Sequence, residues 1–483
     1  MQNRMPLVEA MLKYKNERVY PFHTPGHKGG RGMEALLKNE LGAGALAMDV
    51  SLMSELDDIH APSSYIMEAQ NLAAQLYGSD RCFFAVNGTT GAIHAMLMAA
   101  CKAGDKVLVP RNAHRSVAGA LLLANLEPVF AMPEYDSVFG INTQITPQAV
   151  EAMFARHADI KAVLVTSPNY YGQAADLKAI AGIAHAHNAV LLVDEAHGPH
   201  LGFSGKLPPS ALQCGADACA QSTHKILGAM TQCSLLHVKG GCINLTRAAE
   251  AVSLLTTTSP NYLLMASIDA ARYTLAVQGK KMIERALAAA EKLRSCLSKF
   301  AGLKLLDAGC TGKNGIAGFD CTKVTVNTAA WGYSGTEVGD ALRKAGIAVE
   351  LTDAQNVLFL VTFADGGEEY DAVLEKIRRV FAGLEQHKRT PLKEQNCWRL
   401  PEFVAAVPLR SAFDAGTECL LLQKAEGRIC AEQVSFYPPG IPVLWPGELV
   451  TAEVIDYCLR MKKLGLPVSG PADYTLTELR VIK

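Results

Sequence analysis

Two segments of the chain read AVLLVDEAHGPH (residues 189–200) and ACAQSTHK (residues 218–225). Each begins with a short, largely apolar run and then turns abruptly polar. A short apolar run bounded by polar or turn residues predicts a buried strand. The polar residues that follow the two runs, including Asp194, His197 and Lys225, are therefore expected where strands end.

Similar apolar runs alternate with helical patterns on the N-terminal side of these segments. One such helix is TPQAVEAMFARH (residues 146–157), which Thr146 would cap with Pro147 at its first position. The predicted strands are CFFAV (82–86), KVLVP (106–110), PVFAMP (128–133) and KAVLVTSP (161–168). The alternation predicts an α/β fold with a mostly parallel sheet covered on both faces. Such sheets bind ligands at the carboxyl ends of their strands.

Changes in pattern along the chain predict four parts. Residues 1–60 form an irregular arm with one helical stretch near Pro6–Asn16, and residues 61–275 form the large domain. Residues 276–390 form a smaller α/β domain that begins with a connector helix, and residues 391–483 form a C-terminal domain. Within this last part, YPPGIPVLWPGE (residues 437–448) has four prolines, Pro438, Pro439, Pro442 and Pro446, which favour a rigid loop.

Composition limits the classes of partner. The 483 residues include 46 Lys and Arg against 47 Asp and Glu, a net charge of −1, which argues against a nucleic-acid binder or an acidic membrane surface as partner. The 13 cysteines are scattered without a CxxC motif, as expected of reduced thiols in a cytoplasmic protein. The charged, amphipathic N-terminus has no apolar core of a signal peptide, and no apolar run is long enough to span a membrane.

Two motifs could hold parts of a phosphorylated aromatic cofactor. NGTTGA (residues 87–92) lies between a strand and a helix, where backbone N–H groups and the hydroxyls of Thr89 and Thr90 could bind phosphate. The alternative is an ordinary strand–helix turn. RNAHRS (residues 111–116) places His114 near the next strand end, where its ring could stack on the cofactor. The alternative is a surface histidine bound to water.

Asp194 ends a wholly apolar strand, where a carboxylate needs a partner. A cationic ring nitrogen would serve. One alternative is a metal site made of Asp194, His197 and His200, although the chain has no HExxH motif there. Another is a structural acid–histidine pair.

Lys225 follows Ser222 and His224 in QSTHK. A lysine at the mouth of a buried sheet can form a Schiff base, whereas a lone lysine would normally extend its amine to solvent. A phosphate cradle, a stacking histidine, a carboxylate for a ring nitrogen and a Schiff-base lysine are together what pyridoxal 5′-phosphate (PLP) requires.

The whole set of motifs resembles the Orn/Lys/Arg decarboxylase family, whose fold is the fold-type-I, aspartate aminotransferase-like fold of PLP enzymes. The motifs that carry the resemblance are FHTPGHKGG (22–30), NGTTGA, RNAHRS, DEAHGPH, STHK and AEQVSFYPPGIPVLWPGE (431–448). The ending GLPVSGPADYTLTELRVIK (465–483) is most similar to the compact bacterial arginine decarboxylases of polyamine synthesis. The resemblance implies conversion of L-arginine to agmatine and CO2, with lysine or ornithine as alternative substrates. A PLP aminotransferase or lyase, and a catalytically inactive binding homologue, stay open.

The resemblance also implies a role for each residue that matches a motif. Lys225 would form the Schiff base with His224 beside it, and Asp194 would pair with the ring nitrogen. His197 would line the phenolic edge of the ring, where acid-inducible relatives have Trp. His114 would stack on the ring, and the phosphate would be held by Thr89, Thr90 and Ser222.

Two further features imply a homodimer or larger homo-oligomer with shared active sites. Thr257, in LTTTSPNYLLMAS (residues 255–267), would reach the phosphate in the neighbouring subunit, and His23 and His27 of the arm would lie near the substrate. A basic substrate also needs an acidic or polar receiver for its distal group. Six acids are candidates: Asp57, Asp58, Glu350, Asp353, Glu432 and Glu448.

Overall fold

The computed structural model describes residues 2–53, 55–392, 399–437 and 440–483. The chain divides into two compact units. The first consists of Met1–Ala100, Val190–Gly205 and Pro209–Ile283. The second consists of Cys101–Ala189, Lys206–Pro208 and Glu284–Lys483.

The helices of the described residues are α1 (Pro6–Glu17), α2 (Ala35–Met48), α3 (Tyr65–Tyr77), α4 (Gly88–Ala100), α5 (Arg115–Leu123), α6 (Pro147–Arg156), α7 (Leu177–Ala186), α8 (Thr223–Ile226), α9 (Leu245–Leu255), α10 (Tyr262–Leu297), α11 (Gly335–Lys344), α12 (Glu368–Gln386), α13 (Leu409–Asp414) and α14 (Ala452–Lys463). The strands are β1 (Arg81–Ala85), β2 (Lys106–Pro110), β3 (Glu127–Ala131), β4 (Tyr135–Asp136), β5 (Ile141–Asn142), β6 (Ile160–Thr166), β7 (Gln173–Ala175), β8 (Val190–Asp194), β9 (Ala218–Ser222), β10 (Ser234–Val238), β11 (Lys304–Leu305), β12 (Ile316–Phe319), β13 (Lys323–Asn327), β14 (Leu351–Thr352), β15 (Asn356–Leu360), β16 (Thr417–Leu421), β17 (Val434–Phe436), β18 (Ile441–Leu444), β19 (Val468–Ser469) and β20 (Glu478–Ile482).

The first unit holds four strands in the spatial order β1–β10–β9–β8. Strands β8 and β9 are parallel, whereas β10 is antiparallel to both β9 and β1. The register places Ser234 opposite both Ala85 and Ser222. Because β10 runs the other way, its first residue lies beside the last residues of β1 and β9. Polar side chains from separate strands therefore meet at one edge.

The ends of the first unit's helices follow from local chemistry. Gly78 ends α3 in the left-handed conformation, with φ at 72°, and its N–H donates to the Ala74 carbonyl at 2.8 Å. At the other end of α3, the buried carboxylate of Asp57 accepts from the N–H groups of Ser64 and Ile66 at 2.9 Å each. Gly88, with φ at 65°, begins α4 directly after β1. A short turn thus connects a strand end to the N-terminus of a helix.

The second unit contains three parallel strands in the order β6–β2–β3. Helix α6 begins as predicted, with Pro147 in its first turn and the Thr146 hydroxyl accepting from the Ala149 N–H at 3.1 Å. The remaining strands form smaller sheets, ordered β11–β13–β15–β14, β12–β7, β16–β20, β18–β17–β19 and β4–β5. The β18–β17–β19 sheet packs with α14 in one apolar core.

The prediction of an irregular arm with one helix is wrong for residues 35–48, which form α2 with a kink at Gly42. The Glu34 carboxylate begins α2 by accepting from the Leu36 N–H at 2.7 Å. Leu36 and Leu37 are exposed, and Leu46 is the buried residue of this helix. No apolar stripe at helical spacing was therefore present in the sequence to reveal it.

The prediction of a rigid loop is wrong at residues 441–444, which form β18 and include Pro442. A proline is tolerated because β18 is an edge strand. On the open side of an edge strand, no neighbouring strand needs the N–H that proline lacks. Pro438, Pro439 and residues 393–398 of the predicted last boundary lie outside the described residues. The four-part division of the chain stays a prediction. Within the described ranges, no helix combines the length and apolar character that crossing a bilayer requires.

Candidate active site

The side chains expected at the ends of β8 and β9 meet in the first unit. Asp194 is the last residue of β8, and Ser222 is the last residue of β9. The single turn of α8 follows β9 immediately and carries His224 and Lys225. The polar ends of two neighbouring parallel strands thus bring the acid of Asp194, the amine of Lys225 and the imidazole of His197 together.

The Lys225 amine is held by a buried imidazole. Its Nζ lies 2.9 Å from Nε2 of His197, which is 3% exposed. Lys225 itself is half-buried. The amine is therefore fixed within the fold, which disfavours the alternative of a lysine extended to solvent.

Asp194 is 3% exposed, and its Oδ1 accepts from the Ala196 N–H at 3.2 Å. Burial raises the pKa of this carboxyl, whereas the nearby charge of Lys225 and the Ala196 N–H lower it. A cation placed against Asp194 would stabilise the ionised carboxylate further. This need matches the pyridinium nitrogen of PLP.

His224 has a fixed ring orientation. Its Nδ1 lies 2.8 Å from the carbonyl oxygen of Cys233, and a carbonyl can only accept, so Nδ1 carries a proton. The imidazole next to Lys225 in sequence is thereby held with a defined tautomer or as the cation.

Three hydroxyls form a buried chain beside the N-terminus of α4. Thr89 is hydrogen-bonded to both Ser222 and Ser234, and Ser234 donates to the Gln221 carbonyl at 2.8 Å. Since Ser234 uses its proton on that carbonyl, it accepts from Thr89. These hydroxyls and the first N–H groups of α4 have the chemistry of a phosphate site. Thr90 lies next to Thr89 and is exposed.

Two residues of this region were missed by the sequence analysis. Ser234 enters the hydroxyl chain because β10 is antiparallel, which the sequence did not reveal. Glu195 follows Asp194 and is fully buried; it accepts from the Ala211 N–H and from Nε2 of Gln221, each at 2.7 Å. Burial raises its pKa from 4.5 to about 7. The adjacent acids in VDEAHG were the available signal.

His114 lies in the second unit, at the N-cap of α5. Its Nδ1 accepts from the Ser116 N–H at 3.2 Å, which leaves Nδ1 without a proton. The neutral ring that this implies suits stacking on an aromatic system. Its stacking role stays a prediction.

Thr257 lies in an exposed turn after α9. Its carbonyl lies 3.1 Å from Nε2 of His60, and its hydroxyl accepts from the Ser259 N–H at 3.3 Å. The residue that caps α9 is Thr256, so Thr257 does not end this helix. An exposed hydroxyl is consistent with a contact outside its own subunit.

The arm histidines make contacts within the first unit. Nε2 of His23 lies 2.8 Å from the Tyr14 hydroxyl, and Nε2 of His27 lies 3.0 Å from the Asp49 carboxylate. Since Nδ1 of His27 accepts from the Gly30 N–H, Nε2 is its donor to Asp49. The two histidines of the HTPGH segment therefore bind it to neighbouring parts of the N-terminal arm.

Four of the six candidate receiver acids are buried, and each of them is hydrogen-bonded within the fold. The buried acids are Asp57, with backbone N–H donors; Asp353, with Tyr171 and Asn356; Glu432, with the N–H groups of Ala472 and Arg480; and Glu448, with Arg111. Asp58 is half-buried and accepts from the His60 N–H at 2.8 Å, whereas Glu350 is exposed. Asp58 and Glu350 therefore stay the candidates.

In the part of the chain that the structure describes, no three His, Cys, Asp or Glu side chains are grouped as metal ligands. The alternative metal site of Asp194, His197 and His200 gains no support from this geometry.

Comparison with known proteins agrees with these features. The Orn/Lys/Arg decarboxylase major-domain model matches residues 5–369, and the C-terminal-domain model matches residues 402–470. An arginine decarboxylase of Bacillus anthracis is 41% identical and one of Bacillus subtilis (strain 168) is 40% identical, each over all of this chain and 98% of that protein. The crystal structure of the Francisella novicida lysine decarboxylase LdcF matches with a TM-score of 0.85 and 23% identity, over all of this chain and 81% of that one.

The LdcF match confirms the predicted fold class, and the relatives confirm the resemblance. The family's members are PLP-dependent decarboxylases of basic amino acids. Because the two family models together match most of the sequence, and the Bacillus relatives align along its whole length, the chain belongs to the Orn/Lys/Arg decarboxylase family.

Proposed function

We propose that the protein is a PLP-dependent arginine decarboxylase, which converts L-arginine to agmatine and CO2 for polyamine synthesis. The observation that carries the proposal is the trio at the ends of β8 and β9, in which the amine of the half-buried Lys225 lies 2.9 Å from the buried His197 and close to the buried Asp194. The choice of arginine is supported by the relatives, about 40% identical, that are named arginine decarboxylases.

The residues present fit PLP. Lys225 would bind it covalently, and Asp194 would pair with its ring nitrogen. Thr89, Thr90 and Ser222 would hold its phosphate, and His114 would stack on its ring. When bound, PLP supplies an electron sink for the bond to the departing carboxylate.

The chain's own residues would control the protons. The contact between Lys225 and His197 allows a proton to move between Nζ and Nε2, so that Lys225 can act as a neutral nucleophile. His224, held at Nδ1 by Cys233, would keep a fixed ring beside the reacting carbon. Asp194 would keep the ring nitrogen protonated through its negative charge.

The substrate's distal group would need a carboxylate that is not fully buried. Asp58 meets this need better than the four buried acids, because it is half-buried. It lines a cavity of about 460 Å³ in the first unit, and the other acid of that cavity, Asp57, is buried and accepts from backbone N–H groups. A guanidinium offers two parallel donors to a carboxylate, whereas an ammonium is a point charge. That difference would favour arginine over lysine or ornithine.

The proposal includes a homodimer, or a larger homo-oligomer, with sites completed between subunits. The exposed hydroxyl of Thr257 supports this part, since a phosphate contact from it would have to be made outside its own turn.

The cytoplasm, where thiols stay reduced, is the proposed location.

A substrate panel tests the proposed function. Purified, PLP-loaded protein is given arginine, lysine and ornithine separately, and amine, CO2 and keto acid are measured. We expect agmatine and CO2 in equal amounts, the highest kcat/KM on arginine, and no turnover by the Lys225→Ala variant. Higher kcat/KM on lysine or ornithine would overturn the substrate assignment alone. Keto acid without CO2 would favour an aminotransferase.

A further inference from the structure

The turn that leads into β10 contacts two parts of the proposed site. The Gln232 carbonyl accepts from the N–H of Gly88, the first residue of α4, at 2.9 Å. The next carbonyl, that of Cys233, accepts from Nδ1 of His224 at 2.8 Å. Gln232 has φ at 80°, a conformation that residues with a Cβ rarely adopt. The turn therefore holds both the beginning of α4 and the ring of His224 by backbone groups whose directions its conformation sets.

The beginning of helix α10 holds this turn in place. The Ser267 hydroxyl accepts from the Met230 N–H at 3.1 Å and donates to the Leu264 carbonyl at 2.8 Å. The Cys233 thiol lies 3.1 Å from the Ser267 oxygen and 3.2 Å from the Leu264 oxygen. Since Ser267 uses its proton on the carbonyl, the thiol is the donor toward both oxygens. The turn is thus fixed by side-chain contacts as well as by its own backbone.

Ser234, the first residue of β10, ends a directed chain of hydroxyls. It is fully buried, and its only proton goes to the Gln221 carbonyl at 2.8 Å. Thr89 therefore donates to Ser234 and, with its own proton used, accepts from Ser222. Each proton has one direction because the carbonyl at the end of the chain cannot donate. Ser234 therefore determines where the Thr89 hydroxyl points.

We propose that Ser234 is a positioning residue for the phosphate of PLP. In this role Ser234 does not contact the phosphate itself. It holds the hydroxyl of Thr89, and through Thr89 that of Ser222, in the orientation in which the site receives the phosphate. Groups that are already oriented lose less conformational freedom when a ligand binds. The inference rests on the proposed function, because it requires the hydroxyl chain to be part of a phosphate site.

The Ser234→Ala variant removes the hydroxyl with little change of volume. The dissociation constants of PLP and of pyridoxal, which lacks the phosphate, are measured on the full-length protein by titration calorimetry, with far-ultraviolet circular dichroism as the check of folding. Ser234→Ala should weaken PLP binding about five- to tenfold, as expected for the loss of one hydrogen bond. Pyridoxal binding should change less than about twofold. A merely structural role would weaken the binding of both ligands alike.

A double-mutant cycle shows whether Ser234 acts through Thr89. In the Thr89→Ala background no hydroxyl is left for Ser234 to orient, so Ser234→Ala should then weaken PLP binding less than about twofold. Ser210→Ala is the matched control, because Ser210 is a buried serine of the same unit whose hydroxyl accepts from the Gln213 N–H. It should leave PLP binding unchanged. If Ser234→Ala fails to fold, Ser234→Cys replaces it, and the same pattern with a smaller loss is expected because a thiol is the weaker hydrogen-bonding group.

The outcomes separate the inference from the function on which it rests. An equal loss in both backgrounds, an equal loss for PLP and pyridoxal, no loss at all, or a gain in PLP affinity overturns the positioning role alone. Failure of the wild-type protein to bind PLP overturns the proposed function together with it. A loss that is specific to PLP and that disappears with the Thr89 hydroxyl supports Ser234 as a positioning residue.

Discussion

Replacing Glu195 by glutamine should remove the pH dependence that the Glu195 carboxyl gives to the free energy of unfolding. The fold should stay intact. The carboxylate is fully buried, accepting from Ala211 N–H and Gln221 Nε2. A glutamine could still accept from Ala211. The side-chain NH₂ group of the new glutamine would then face Gln221. The Gln221 amide can rotate so that its Oε1 accepts from this group, because Oε1 has no hydrogen-bond partner among the described residues.

The size of this change in the free energy of unfolding follows from the pKa of Glu195. Burial raises the pKa of Glu195 from 4.5 to about 7 in the folded protein. With about 1.4 kcal/mol for each pKa unit, this difference corresponds to roughly 3 kcal/mol of unfolding free energy. Because the folded pKa is the higher one, the stabilisation is complete below pH 4.5 and is lost as the pH rises through 7.

The assay has two parts. Infrared difference spectra between wild type and Glu195→Gln, taken across this pH range, should show a protonated carboxyl that titrates near pH 7. Denaturant unfolding should show the wild type losing roughly 3 kcal/mol relative to the variant over the same range. Titration of Glu195 near 4.5, or parallel pH profiles for the two proteins, would refute the reasoning.

Three further changes probe the proposed site. Lys225→Ala should keep its far-ultraviolet circular dichroism but lose the covalent PLP absorbance and orders of magnitude in rate; near-normal turnover would contradict its role. Asp194→Asn should lower kcat by about 10- to 150-fold, because a charged hydrogen bond contributes about 1.5–3 kcal/mol; a wild-type rate would make Asp194 purely structural. Mixing Lys225→Ala subunits with subunits that lack residues 1–32 should restore agmatine production if sites are shared, and demonstrated subunit exchange without recovery would argue that they are not.

The residues at strand ends could be predicted because they break an apolar pattern. Asp194 and Lys225 each follow a buried run, and parallel strands bring such ends together. Ser234 could not be found in this way. It begins its strand, and only the antiparallel direction of β10 brings it beside Ser222.

The acids show a different limit of sequence reasoning. In sequence, nothing distinguishes Asp57 and Glu448 from Asp58 as candidate receivers. In the structure, backbone N–H groups donate to Asp57. Glu448 pairs with Arg111, which is 337 residues away in sequence. Partners so distant leave no local pattern. Helix α2 was missed for a related reason, since its leucines are largely exposed and mark no buried face.

The most direct test of the site is to trap the cofactor on its lysine. The PLP-loaded protein is reduced with borohydride, which fixes a Schiff base irreversibly, and the modified peptide is identified by mass spectrometry. The account predicts one pyridoxyl group per chain, on Lys225, and none in the Lys225→Ala variant. A label on another lysine, or none on the loaded wild-type protein, would contradict it.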